Sequence, residues 1–164
     1  MKATGLDLSI AATGYAYGTQ NGIAHGTIKT VGTKDVRLVV IKNFIVERAD
    51  GSELVLIEGF LNKSFSAGIT GMVHGAVRTG LIEAGIPYAS FPPTSLKKYA
   101  TGSGNADKTA MALAAYKRGG VEFKDDNQCD AWWLWVACMD HLGQPVFPLP
   151  SLQRDCLTKI KMEA

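Results

Sequence analysis

Four apolar residues in succession, Leu54, Val55, Leu56 and Ile57, stop abruptly at Glu58. A run this short, with no alternation, suits a strand covered on both faces, and such a strand needs helices above and below its sheet. The neighbouring chain offers them. Residues 34–48 place Val36, Val39, Val40, Phe44 and Ile45 near helical spacing behind Thr33 as an N-cap, and a second helical pattern covers 66–84. Upstream, ATGLDLSI (3–10) alternates as a strand, and the segments 13–19 and 22–31 meet at Gln20-Asn21-Gly22, a hairpin signal. Downstream, Ile86 to Phe91 reads as a short strand closed by Pro92-Pro93, and Thr94 or Ser95 can cap a brief helix carrying Lys97 and Lys98. Further helices are expected at 106–118 and from Asp126 to about His141. Hairpin strands followed by alternating helices and strands predict an α/β fold, a mixed sheet with helices on both faces.

The chain's 164 residues, 46% of them apolar, are enough for one packed domain without disulfides or structural zinc. That domain is expected over 1–145, with 146–164 as a C-terminal tail whose prolines and basic end suit the surface. Every strongly apolar run is broken by charge, so no membrane span is expected, and the acid at position 7 argues against a signal peptide. Cys129, Cys138 and Cys156 have no metal-ligand spacing and leave one unpaired in any disulfide scheme. A reducing, cytoplasmic compartment is the expectation. A net charge of +2 permits nucleic-acid binding only if the charges segregate, and in part they do. Lys97, Lys98 and Lys108 fall together, whereas Asp125, Asp126 and Asp130 cluster further on.

Three acids stand in costly places. Asp7 lies in mid-strand between Leu6 and Leu8, and Glu58 directly follows an apolar strand, where open α/β sheets bind ligands. Asp130 shares a helical face with Asp126 and Asn127 and is followed by the apolar run Ala-Trp-Trp-Leu-Trp. Asp125 and Asp126 also suit a helix N-terminus as simple caps. Carboxylates from separate elements, with no histidine or cysteine at ligand spacing, are hard oxygen ligands fit for Mg²⁺ or Mn²⁺, and such a set can hold two ions that clamp a phosphodiester. His141 stands too far along the same helix to join them, and His25 and His74 read as structural or surface residues. TGSGNADK (101–108) is neither a dinucleotide fingerprint nor a P-loop, but backbone amides there with Lys97 and Lys108 would form a phosphate-holding rim. Trp132, Trp133 and Trp135 read as core residues rather than base-stacking ones.

The strings GLDLSIAATGYA (5–16), VLIEGF (55–60), PTSLKKYATGSGNADK (93–108) and DNQCDAWW (126–133) resemble, in order, the diagnostic segments of RuvC-like Holliday junction resolvases of the RNase H-like superfamily. The resemblance covers residues 1 to about 142. It implies a five-stranded RNase H-like sheet and a dimeric, metal-dependent endonuclease, of a kind phages also encode, that cuts four-way DNA junctions with Mg²⁺ or Mn²⁺. By the same resemblance Asp7, Glu58 and Asp130 are catalytic metal ligands. Lys108 is catalytic, Lys97 and Lys108 touch DNA, Phe60 matches an aromatic near the junction's bases, and GMVHG (71–75) matches the dimer-forming helix. The fourth ligand falls three residues before the last acid, where this chain has Asn127, with Asp126 beside it.

Two other readings are open to these residues. Asn127 and the low net charge suit a protein that holds junctions without cutting them. GLDLSIAATG also resembles the phosphate loop of actin-like ATPases and sugar kinases, whose folds need two such domains.

Overall fold

The computed structural model describes residues 1–59 and 67–163. Its strands are β1 (Ala3–Asp7), β2 (Thr13–Thr19), β3 (Gly22–Ile28), β4 (Leu54–Glu58), β5 (Tyr88–Phe91) and β6 (Lys161–Met162). Its helices are α1 (Lys34–Ala49), α2 (Ala67–Glu83), α3 (Pro93–Thr101), α4 (Lys108–Gly119), α5 (Asp126–His141) and the short α6 (Ser151–Arg154), which runs into a 3-10 turn over Asp155–Lys159. One mixed sheet has the order β3-β2-β1-β4-β5-β6, with β1, β4 and β5 parallel and the other pairs antiparallel.

Four sequence expectations need correcting. The sheet has six strands rather than five, because β6 adds an antiparallel pair to β5 through Ala89↔Met162 and Ser90↔Lys161. The first strand ends at Asp7, not at residue 10, because Ser9 and Thr13 close a hydrogen-bonded turn: Thr13 Oγ1 donates to Ser9 O at 2.5 Å and Ser9 Oγ donates to Ala12 O at 3.1 Å. Asp7 therefore sits at the strand's end, where its carboxylate escapes full enclosure. Neither Thr94 nor Ser95 caps α3; Pro92 is the N-cap and Pro93 starts the helix, a position where a missing N–H costs nothing. The helix expected at 106–118 starts at Lys108, since the Asp107 side chain accepts from Ala110 N at 2.8 Å.

Period-two alternation sorts the sheet's side chains into two cores. Leu6, Leu8, Val55 and Ile57 pack beneath α1 and α2 with Ile41, Ile45, Val73, Val77 and Leu81. Ala3, Leu54, Leu56, Ala89 and Phe91 point the other way, into a core built on α5, where Trp132 and Trp133 are almost wholly buried. As expected, the three tryptophans are core residues; Trp133 Nε1 donates to Met111 O at 3.1 Å and Trp135 Nε1 to Gly18 O at 3.3 Å. The helix lies unusually close to the sheet. A Cβ at Gly5 would collide with the backbone of Ala131 and Trp135, and one at Gly14 with the backbone of Asn127.

The C-terminal residues are tied to this second core. Arg154 forms a forked ion pair with the buried Asp140, through Nη2 to Oδ1 at 2.7 Å and Nε to Oδ2 at 3.1 Å, and Tyr99 Oη donates to the same carboxylate at 3.1 Å. Gln153 Nε2 donates to Tyr99 O at 2.7 Å, so the segment grips α3 as well as α5.

Candidate active site

Alternation and register place the first two acids. Asp7 follows Ala3 and Gly5 on the α5-facing side of β1, and Glu58 follows Leu54 and Leu56 on the same side of β4. The parallel register pairs Leu6 with Ile57, which sets Asp7 and Glu58 side by side at the carboxyl ends of adjacent strands. The third acid comes from above. α5 crosses Gly5 at Ala131, so Asp130 projects beside the end of β1. Asn127 lies over Gly14, which pairs with Asp7 across β1 and β2. Asp125 caps the helix, accepting from Gln128 N at 3.0 Å, and is itself held by Thr27 Oγ1 at 2.8 Å.

The convergence and burial of the acids set their electrostatics. Burial, and then the charge of Asp130, push Asp7 up to about 7. Burial, followed by Asp7 and Asp130, raises Glu58 to about 8. Burial and then Asp126 raise Asp130 to about 6. Carboxylates that resist ionisation together are a site prepared for positive charge. Two cations already face it: Lys97 lowers both Glu58 and Asp130, and Lys108 lowers Asp7 and Asp130. Lys108 is exposed and its ammonium is ion-paired with Asp126, whose carboxyl it holds below the usual range. That lysine was legible from the sequence; its partner among the acids was not, because the contact joins elements 18 residues apart.

The phosphate rim is partly altered. Lys97 and Lys108 act on the acids through their charge from α3 and α4, but the amide of Ala110 in the first turn of α4 is already bonded to Asp107. His25 is a structural residue, 3.4 Å from Gln128 Oε1 through Nδ1 and edge-on to Phe123, and His74 is buried in α2. Phe60 lies outside the described residues.

The donor set suits a hard divalent cation: all its members offer oxygen, and their mutual repulsion is relieved by positive charge. Among the described residues, no three His, Cys, Asp or Glu side chains are disposed, as placed, to hold a metal ion.

The sheet order and its flanking helices are those of an RNase H-like α/β fold. Two solved structures share it: RuvC of Thermus thermophilus superposes with a TM-score of 0.72 at 23% identity, covering 91% of this chain and 100% of that one. The same protein in complex with a Holliday junction substrate gives 0.70 at 22%, covering 91% and 99%. In sequence, the crossover junction endodeoxyribonuclease RuvC of Sorangium cellulosum is 30% identical over 123 residues, 68% of this chain and 69% of its own. That of Chloroflexus aggregans is 29% identical over 122 residues, 68% and 74% respectively. No protein-family model matches the chain. The chain belongs to the RuvC family.

Proposed function

We propose that this chain is a crossover junction endodeoxyribonuclease, which hydrolyses phosphodiesters in four-way DNA junctions by paired nicks. The observation that supports the reading is the meeting of Asp7, Glu58 and Asp130 on one face of the sheet, within the electrostatic reach of Lys97 and Lys108, in a chain of the RuvC family.

Asp7, Glu58 and Asp130, with the amide oxygen of Asn127, would hold Mg²⁺ or Mn²⁺, two ions in our reading. When bound, such ions lower the pKa of a coordinated water and offset charge on the cleaved phosphate. The chain's own groups do the rest. Asp7 and Glu58 sit on strand ends fixed by pairing on both sides, so their positions vary little. Lys97 and Lys108 hold the scissile and neighbouring phosphates, and Lys108 exchanges Asp126 for DNA as the substrate arrives. Phe60 contacts the junction's bases.

Paired nicks need two sites, and α2 supplies the surface for a second copy. A Cβ at Gly68 or Gly75 would meet open space, and Met72 between them is 45% exposed. Small residues on an open helical face let a twin helix approach closely. No helix among the described residues is long and apolar enough to cross a membrane.

Incubation with a labelled four-way junction and Mg²⁺ or Mn²⁺ tests the reading. Symmetric nicks are expected; binding without cutting under either ion would instead favour an architectural role.

A further inference from the structure

A cleft of about 440 Å³ opens where the first turn of α3 meets the Gly-rich loop and the C-terminal segment, and Thr94, Ser95, Lys98, Gly104, Asp155 and Lys159 line it. Its place in the fold ties it to the acids. β5 ends at Phe91, level with Glu58 in the parallel register, and Pro92 leads directly into α3. Gly59 N donates to Phe91 O at 2.8 Å, which fixes the start of this connection beside the last residue of β4. The opening turn of α3 thus stands on the same rim of the sheet as the carboxylates.

α3 divides two basic positions. Lys97 acts electrostatically on Glu58 and Asp130, whereas Lys98, about 100° further round the helix, lines the cleft. The second ammonium, Lys159, comes from the 3-10 turn. That turn is held by the Arg154–Asp140 pair and by the Gln153 bond to Tyr99 O, and β6 follows at once on the edge of β5. Two ammonium groups against the single carboxylate of Asp155 leave the cleft net positive. Two hydroxyls, of Thr94 and Ser95, share the lining with them.

Resting on the function proposed above, we infer that this cleft takes a backbone phosphate of a DNA arm leaving the cleavage point, with Lys98 and Lys159 as its cations and Thr94 and Ser95 as hydroxyl donors. The C-terminal segment is then part of the DNA-binding surface, and α3 tracks the strand with one lysine on the scissile side and one on the arm side.

The test compares the full chain with Lys98→Gln, Lys159→Gln and the double variant. Both lysines are exposed, so the fold should survive, and the thermal midpoint checks this. Junction affinity is measured over a range of salt in Ca²⁺, and cleavage at saturating junction in Mg²⁺. Both lysines hold one phosphate, so the double variant should reduce the slope of log affinity against log salt by about 0.9 and each single variant by part of that. Cleavage at saturation should stay within about twofold. An unchanged slope in the double variant, beside a reduced one in Lys97→Ala, overturns the cleft and leaves the nuclease reading standing. Loss of saturated cleavage without a change of slope also overturns it. A wild-type chain that binds no branched DNA overturns the nuclease reading and this inference together.

Discussion

On the proposed function, each of the three converging acids does work that its amide cannot. Asp7→Asn, Glu58→Gln and Asp130→Asn keep shape but remove one anionic ligand, so each should lower junction cutting at least a thousandfold, about 4 kcal/mol in the barrier, with junction binding largely kept. Single-turnover cleavage beside a binding assay checks this, and more than a tenth of wild-type rate would remove that residue from the site. The same burial predicts a pH effect on the cation-free chain. Between the ordinary carboxylate range and the raised values near 6 to 8, the folded chain retains protons that the unfolded chain has released. Stability therefore falls as pH rises from 5 to 8. Asp7→Asn should flatten that fall, by an amount on the order of a few kcal/mol, in urea titrations with EDTA at both pH values. Asp126 and Asn127 differ in occupation: Lys108 holds the first, while the second lies over the partner of Asp7. Asn127→Asp should tighten Mn²⁺ several-fold by calorimetry and Asp126→Ala should change it little; the reverse order would make Asp126 the ligand.

The elements were legible where a local signal decided them. The apolar run ending in Glu58, the hairpin at Gln20–Asn21 and the tryptophan-rich helix all lie where the pattern put them. Asp7 was legible as an anomaly because a carboxylate amid Leu6 and Leu8 has no cheap explanation. What was not legible depends on contacts far apart in the chain. The turn that ends β1 rests on side-chain bonds of Ser9 and Thr13, the sixth strand pairs residues more than 70 positions apart, and Lys108 finds Asp126 only after α4 and α5 have packed. The exposed face of α2 carries its own prediction. Gly75→Leu fills the open space above the helix, so it should convert a dimer to monomer in light scattering with little change in thermal midpoint. A wild type that is monomeric at micromolar concentration would remove α2 as an interface.

Taken together, the two cores divide the labour. The one beneath α1 and α2 is almost purely aliphatic, and α2 covers it with an outer face left open at Gly68 and Gly75. The one around α5 is aromatic and crossed by polar ties, and it carries every proposed cation and DNA ligand among the described residues. Gly5 and Gly14 let α5 sit directly on the strands, so the height of Asp130 above Asp7 is set by backbone against backbone rather than by side chains that can repack.

The two-residue strand β6 has a consequence for solubility. Without it, β5 would present an unpaired ladder beside Tyr88, Ala89 and Phe91, the type of edge on which a further chain can grow a sheet. β6 is too short to serve as a template itself, and Lys161 and Glu163 leave charge along the border, with Ser90 Oγ donating to Glu163 Oε1 at 2.8 Å. Deleting residues 160–164 should therefore leave a chain that still folds but forms thioflavin-positive aggregates on gentle heating, at concentrations where the full chain stays clear. That outcome would make residues 160–164 a stop on polymerisation.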